Sequence, residues 1–201
     1  MLSEQGGGYD HLTINDNLIL NASTGILFTG TTIRGSNNGR IINNILGSDN
    51  NSLTLGNTGI AVSNADGLII SGNLIHNLFT NINPKGIVIG TNTKNTSITG
   101  NTISGVKYAG TSGYGGVGID VNTGHPGSNL VIANNVLSDI SGDGSYDFGS
   151  NAISGIRLLG TSGGISLWFN TINLAGNLYR QDAIADVSAS LYIAATVTDL
   201  D

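Results

Sequence analysis

Asp120 and Arg157 stand at the same place in two copies of one short pattern, Gly118-Ile119-Asp120-Val121 and Gly155-Ile156-Arg157-Leu158. An acid and a guanidinium in equivalent positions can form an ion pair or clamp a ligand. Catalysis demands more. Glycoside hydrolysis needs two well-placed carboxylates, and proton abstraction needs a base with a matched pKa. Strand alternation puts Leu27, Ala61, Val88, Asp120, Arg157 and Tyr192 in one outward column, with Asn122 beside it. That column holds a single acid, so the sequence places no catalytic residue. The plain reading of Asp120 and Arg157 is a surface salt bridge, worth about 0–1 kcal/mol.

Other chemistry-bearing residues gather in long segments between the repeats. Asp139, Asp143, Ser145 and Asp147 lie within nine residues. Asp143, Ser145 and Asp147 offer oxygens at alternate positions, as the first half of a calcium loop does. Ca²⁺ is thus the one cofactor suggested, against the simpler reading of a solvated acidic turn. Phe148 and Ser154 stand where such a loop requires Gly and Glu. Tyr108, Tyr114, Tyr146 and Tyr179 occur in the same long segments. Aromatic faces beside amides and hydroxyls suit sugar rings; the alternative is that these rings pin the loops down. Asp120, Asn122, Arg157, Tyr192, Tyr108, Tyr114 and Tyr146 are therefore the candidate glycan-binding residues. His11, His76 and His125 fall in different repeats without metal-ligand spacing, and His76 is expected at the surface. Trp168 replaces smaller residues in its column (Ile42, Ser71, Thr99, Ala133). A loop should cover it; a bare Trp168 would mark a contact surface.

The elements that must position these groups are written in two interleaved repeats. The first, apolar-x-x-Asn-x-apolar, centres on Asn17, Asn44, Asn73, Asn101, Asn135 and Asn170, at spacings of 27, 29, 28, 34 and 35 residues. The second, a small residue followed by apolar-x-apolar, begins at Gly25, Gly59, Gly86, Gly118, Gly155 and Ser190. Apolar-x-apolar is a short strand with one buried face. Strands this short are unstable alone and must stack on copies of themselves. Helix signals are nearly absent, with one Glu, three Lys, 31 Gly and 26 Asn. Each repeat therefore reads as one coil of short strands, stacked at roughly 4.8 Å into parallel sheets. Asn suits a left-handed bend between strands, and its amide can bond to the same residue one coil away. A leucine-rich repeat shares part of the first pattern, but its period of about 20–29 residues is too short and it needs helix formers.

Composition narrows the partners. A net charge of −6 argues against nucleic acid or an anionic membrane. No run of 18 apolar residues offers a membrane span. Without Cys there is neither a disulfide framework nor a thiolate metal site.

The pair Gly-Ile-x-[Ile/Val] and Ile-x-[Gly/Asn]-Asn-x-Ile resembles the right-handed parallel β-helix repeat of the pectate-lyase-like superfamily, over residues 12–201. The resemblance implies an all-β solenoid of about six coils, three short strands per coil, with the Asn ladder at the bend between second and third strands. Residues 1–201 then form a single β-helix segment after an irregular lead-in at 1–11. Open ends without caps suggest a piece of a longer protein, continuing into flanking domains, with any export signal outside it. Many relatives act on polysaccharides at the outer face of the first sheet. Their paired-Asp and Gly-His-Gly patterns are missing, and Gly124-His125-Pro126 is a superficial match. The expected function is a non-catalytic, adhesin-like scaffold of a secreted or cell-surface protein, of the kind bacteria display. It would bind a polysaccharide or cell-surface glycan weakly. The alternative is part of a polysaccharide lyase or glycoside hydrolase acting on acidic polysaccharide. Loops lengthen toward the C-terminal half, where a site is expected.

Overall fold

The computed structural model of the chain describes residues 9–31, 36–50, 52–145, 151–174 and 187–201. All regular structure among them is extended, and the main sheets are three parallel stacks. Sheet 1 stacks Thr24–Thr29, Thr58–Ser63, Lys85–Ile89, Val117–Val121, Ile153–Leu158 and Ser188–Ile193. Sheet 2 stacks Thr13–Asn15, Arg40–Ile42, Ile69–Ser71, Ser97–Thr99, Leu130–Ala133, Gly163–Trp168 and Thr198–Leu200. Sheet 3 stacks Leu18–Ile19, Ile45–Leu46, Leu74–Thr80, Thr102–Tyr108, Val136–Ser141 and Thr171–Asn173. A short pair, Ser36–Asn37 with Ala65–Asp66, adds a small fourth sheet. The chain visits sheets 1, 2 and 3 in rotation and each strand pairs with its counterpart one coil away, which is a parallel β-helix of about six coils.

The periodicity translates directly into register. Ile26, Ile60, Ile87, Ile119, Ile156 and Leu191 are successive partners in sheet 1. Ile14, Ile41, Ile70, Ile98, Ile132 and Leu167 follow suit in sheet 2. Ile19, Leu46, Ile75, Ile103, Leu137 and Ile172 do so in sheet 3. These columns meet along the axis as one aliphatic core, with Ile60, Ile70, Ile75, Ile87, Ile98 and Ile103 fully buried. A one-residue slip would turn every inward Ile to solvent, so the pattern holds the stack in one register.

The ladder stands at the corner between sheets 2 and 3. Nδ2 of Asn17, Asn44, Asn73, Asn101 and Asn135 donates to Oδ1 of the next ladder Asn at 2.8–3.0 Å. The backbone N–H of the same five residues donates to that same oxygen at 3.0–3.1 Å. Asn44, Asn73, Asn101 and Asn135 are buried. The left-handed conformation expected of the ladder Asn falls instead on the residue before it. Asp16, Asn43, Gly72, Gly100, Asn134 and Phe169 have φ between 52° and 64°. The corner thus divides two duties between neighbours: one residue makes the turn outside, and the next turns inward to satisfy the backbone groups that the turn leaves unpaired.

The small residue opening each sheet 1 strand has a different cause. A Cβ on Gly25, Gly59, Gly86, Gly118 or Gly155 would lie 2.5–2.7 Å from the carbonyl oxygen of its counterpart on the next coil. At Gly118 it would also lie 2.3 Å from Leu137 Cδ2 and 2.8 Å from Ile140 Cδ1. None of these five has a positive φ, so space, not backbone freedom, requires glycine. Gly118→Ala is expected to lower stability by about 3 kcal/mol through overpacking. Gly100→Asn should be nearly neutral, because Asn43 and Asn134 already hold the same corner. Urea midpoints of the two variants, measured side by side, separate the two causes; equal losses would refute the assignment.

Candidate functional site

Alternation on sheet 1 turns the residue between two inward side chains outward. Ile119 and Val121 face the core, so Asp120 faces away, in register with Val88 on one side and Arg157 on the other. Tyr192 follows Arg157. The outer column therefore runs from apolar Leu27, Ala61 and Val88 to polar Asp120, Arg157 and Tyr192.

The pair is not the surface salt bridge that the alternation suggests. Asp120 is 4% exposed and Arg157 is 1% exposed. Arg157 grips the carboxylate with both arms, Nε to Oδ1 at 2.8 Å and Nη2 to Oδ2 at 2.9 Å. Lys85 reaches across from the start of the preceding strand and places Nζ 2.7 Å from Oδ2. Both carboxylate oxygens are thus engaged by cations in a planar, charge-assisted arrangement. Burial alone would push the Asp120 carboxyl up, but the Arg157 hydrogen bonds and charge, with Lys85 added, outweigh it and hold it below the ordinary carboxylate value.

A carboxyl depressed on folding contributes stability that is fully present above its unfolded pKa, about 3.9 for Asp. That contribution is lost as pH falls through the lower folded value. Asp120→Asn is therefore expected to cost stability at neutral pH, and its gap to the wild type should narrow steadily as pH drops below about 4. Urea midpoints from pH 7 down to pH 3 read this out; a gap that stays constant or widens in acid would contradict the assignment.

The remaining candidates separate into groups. Asn122 is exposed beside the column, and its backbone N–H donates to the Ile89 carbonyl at 2.8 Å. Tyr108 and Tyr114 pack edge to face with ring centroids 5.4 Å apart. The Tyr108 hydroxyl accepts the Ser112 N–H at 3.3 Å, and Tyr108 is buried. These rings hold loop 109–116 against the solenoid, the alternative named for them above. Asp143 is buried too; its Oδ2 accepts the Gly113 N–H at 2.8 Å, tying the next long loop to this one. Ser145 is also buried. Tyr146, Asp147, Phe148 and Tyr179 lie outside the described residues. Among the described residues no three His, Cys, Asp or Glu side chains gather where a metal could sit.

Two placements differ from expectation. The His76 side chain is only 15% exposed, with Nδ1 3.3 Å from Asp49 Oδ1, so a neighbouring coil partly covers it. Trp168 lies bare at 45% exposure, with no loop among the described residues enclosing it. Lys85 is the member of the ion cluster that sequence reasoning passed over. Its signal was a Lys directly before Gly86-Ile87, one repeat ahead of Asp120. Lys85 pairs by register with Val117, not with Asp120, and only a long flexible stem spans the difference. No protein-family model and no curated protein matches this chain.

Proposed function

We propose that this β-helix is a non-catalytic, adhesin-like scaffold of a larger secreted or cell-surface protein, with a weak carbohydrate site near its C-terminal loops. The observation that carries this reading is the state of Asp120. A general acid must hold a proton near neutral pH and a general base must present a free lone pair. Asp120 is held ionised, and both its oxygens are engaged by Arg157 and Lys85. The outer column of sheet 1 brings no second carboxylate beside it, as a glycosidase would require. The repeat's resemblance to the pectate-lyase-like superfamily supports a glycan as partner, and the rigid register of the stack supports a structural duty. The competing reading, a lyase or hydrolase acting on acidic polysaccharide, draws on the two cations of the same cluster.

Incubation with polygalacturonate, alginate and neutral glycans, followed at 235 nm for unsaturated ends and by reducing-end assay, decides between them. The scaffold reading expects no turnover, with retention on a glycan array. Turnover abolished by Arg157→Lys, in protein shown to be folded, would overturn it in favour of the enzyme.

A further inference from the structure

The corner between sheets 2 and 3 carries an irregularity that the ladder does not explain. Its left-handed residue is exposed in every coil, and five of the six are Asp16, Asn43, Gly72, Gly100 and Asn134, residue types that adopt this conformation at little cost. The sixth is Phe169, at φ 52° and 86% exposed. A bulky aromatic in this region is strained, and strain held at an exposed position is a mark of function. Phe169 follows the bare Trp168, so two exposed aromatic residues stand in succession where the other coils present smaller side chains. Trp168 lies over Ala133 by register, and Ala133 is 5% exposed. Val136, 43% exposed, extends the apolar surface on sheet 3. The exposed side chains of Asn134 and Thr171 flank it with an amide and a hydroxyl. On the preceding coil Val131, Ala133 and Val136 are uncharged, as are Ser166 and Thr171 beside the pair. On the following coil the neighbour is an acid, Asp201, whose backbone bonds to Ile165 and Leu167.

We infer that Trp168 and Phe169 form a stacking platform for an uncharged pyranose glycan, separate from the ion cluster on sheet 1. The C–H faces of a pyranose stack on aromatic rings while its hydroxyls bond to amides and hydroxyls at the rim. With no cation among the described residues of the patch and Asp201 beside it, a neutral sugar fits it and a uronate does not. The inference shares with the proposed function the premise that the protein binds glycans, but assigns that binding to a different face.

Trp168 is the single tryptophan of the chain, so its emission reports this patch alone. The whole protein is titrated with cellohexaose, mannohexaose and a hexagalacturonate, following Trp168 emission and acrylamide quenching, with calorimetry in parallel. A neutral hexamer is expected to shift the emission to the blue and shield Trp168. Phe169→Asn, carrying the residue that Asn43 and Asn134 show to fit this corner, should weaken binding about tenfold. The same variant should raise Tm by about 3 °C, because the strain is relieved. Binding measured by calorimetry with no change at Trp168, or unaltered by Phe169→Asn, would overturn the platform and leave the loop site standing. An equal response to the galacturonate, or a blue shift driven by protein concentration alone, would also overturn it. No binding to any glycan would remove both readings together.

Discussion

Asn101→Ala is expected to lose about 4 kcal/mol of stability, far more than an ordinary polar-to-alanine change. Asn101 Oδ1 accepts the Asn73 backbone N–H at 3.0 Å and Asn73 Nδ2 at 2.9 Å. Its own Nδ2 donates to Asn135 Oδ1 and to the Ile70 carbonyl, both at 3.0 Å. Alanine removes all four bonds and leaves their partners in a site with no solvent access. Each orphaned buried group costs about 1–3 kcal/mol, whereas a satisfied bond contributes only about 1 kcal/mol net. Asn17→Ala provides the internal control. Asn17 is exposed, donates to Asn44 Oδ1 and the Asn15 carbonyl, and should cost at most about 1 kcal/mol. Urea unfolding measures both, and comparable losses at the two positions would show that the ladder does not act through buried satisfaction.

Arg157→Met should be similarly severe, at about 3–5 kcal/mol, because it strands a buried carboxylate. Lys85 remains beside one oxygen, but its ammonium is partly solvated and grips a single atom. The informative comparison is with the double variant Asp120→Val, Arg157→Met. An apolar pair in this column is what Val88 and Ala61 already supply one and two coils away from Asp120. Replacing both charged partners removes the desolvation cost together with the attraction, so the double variant should recover most of the loss. If it proves as unstable as the single substitution, the pair does more than satisfy itself, and a role in holding the neighbouring strands would have to be found.

Register was legible in the residues because inward Ile recurs with a fixed relation to Asn, and a parallel stack has few ways to align identical patterns. The Asn ladder was legible for the same reason. The division of labour at the corner was not. Asn43 and Asn134 precede Asn44 and Asn135, so two adjacent asparagines compete for the turn, and only Gly72 and Gly100 in the other coils reveal which position bends. Alternation correctly turned Asp120 and Arg157 outward, yet outward and exposed are different properties. A bidentate pair capped by Lys85 covers itself, and no period in the sequence expresses the reach of a lysine stem. Trp168 departs in the opposite sense, since its size suggests a cover that no loop among the described residues supplies. The small residue of the second repeat is visible in the sequence as part of a motif, while its cause, a carbonyl on the next coil, belongs to stacking alone.

The orientation of the ladder bonds also has a mechanical consequence. Asn amides and strand backbones both bond from one coil to the next, so tension applied along the stack pulls directly on these links. Force would then release the protein one coil after another instead of all at once. Each event would free the 27–35 residues between successive ladder positions, or about 90–120 Å of extended chain, so the length under load would grow in steps.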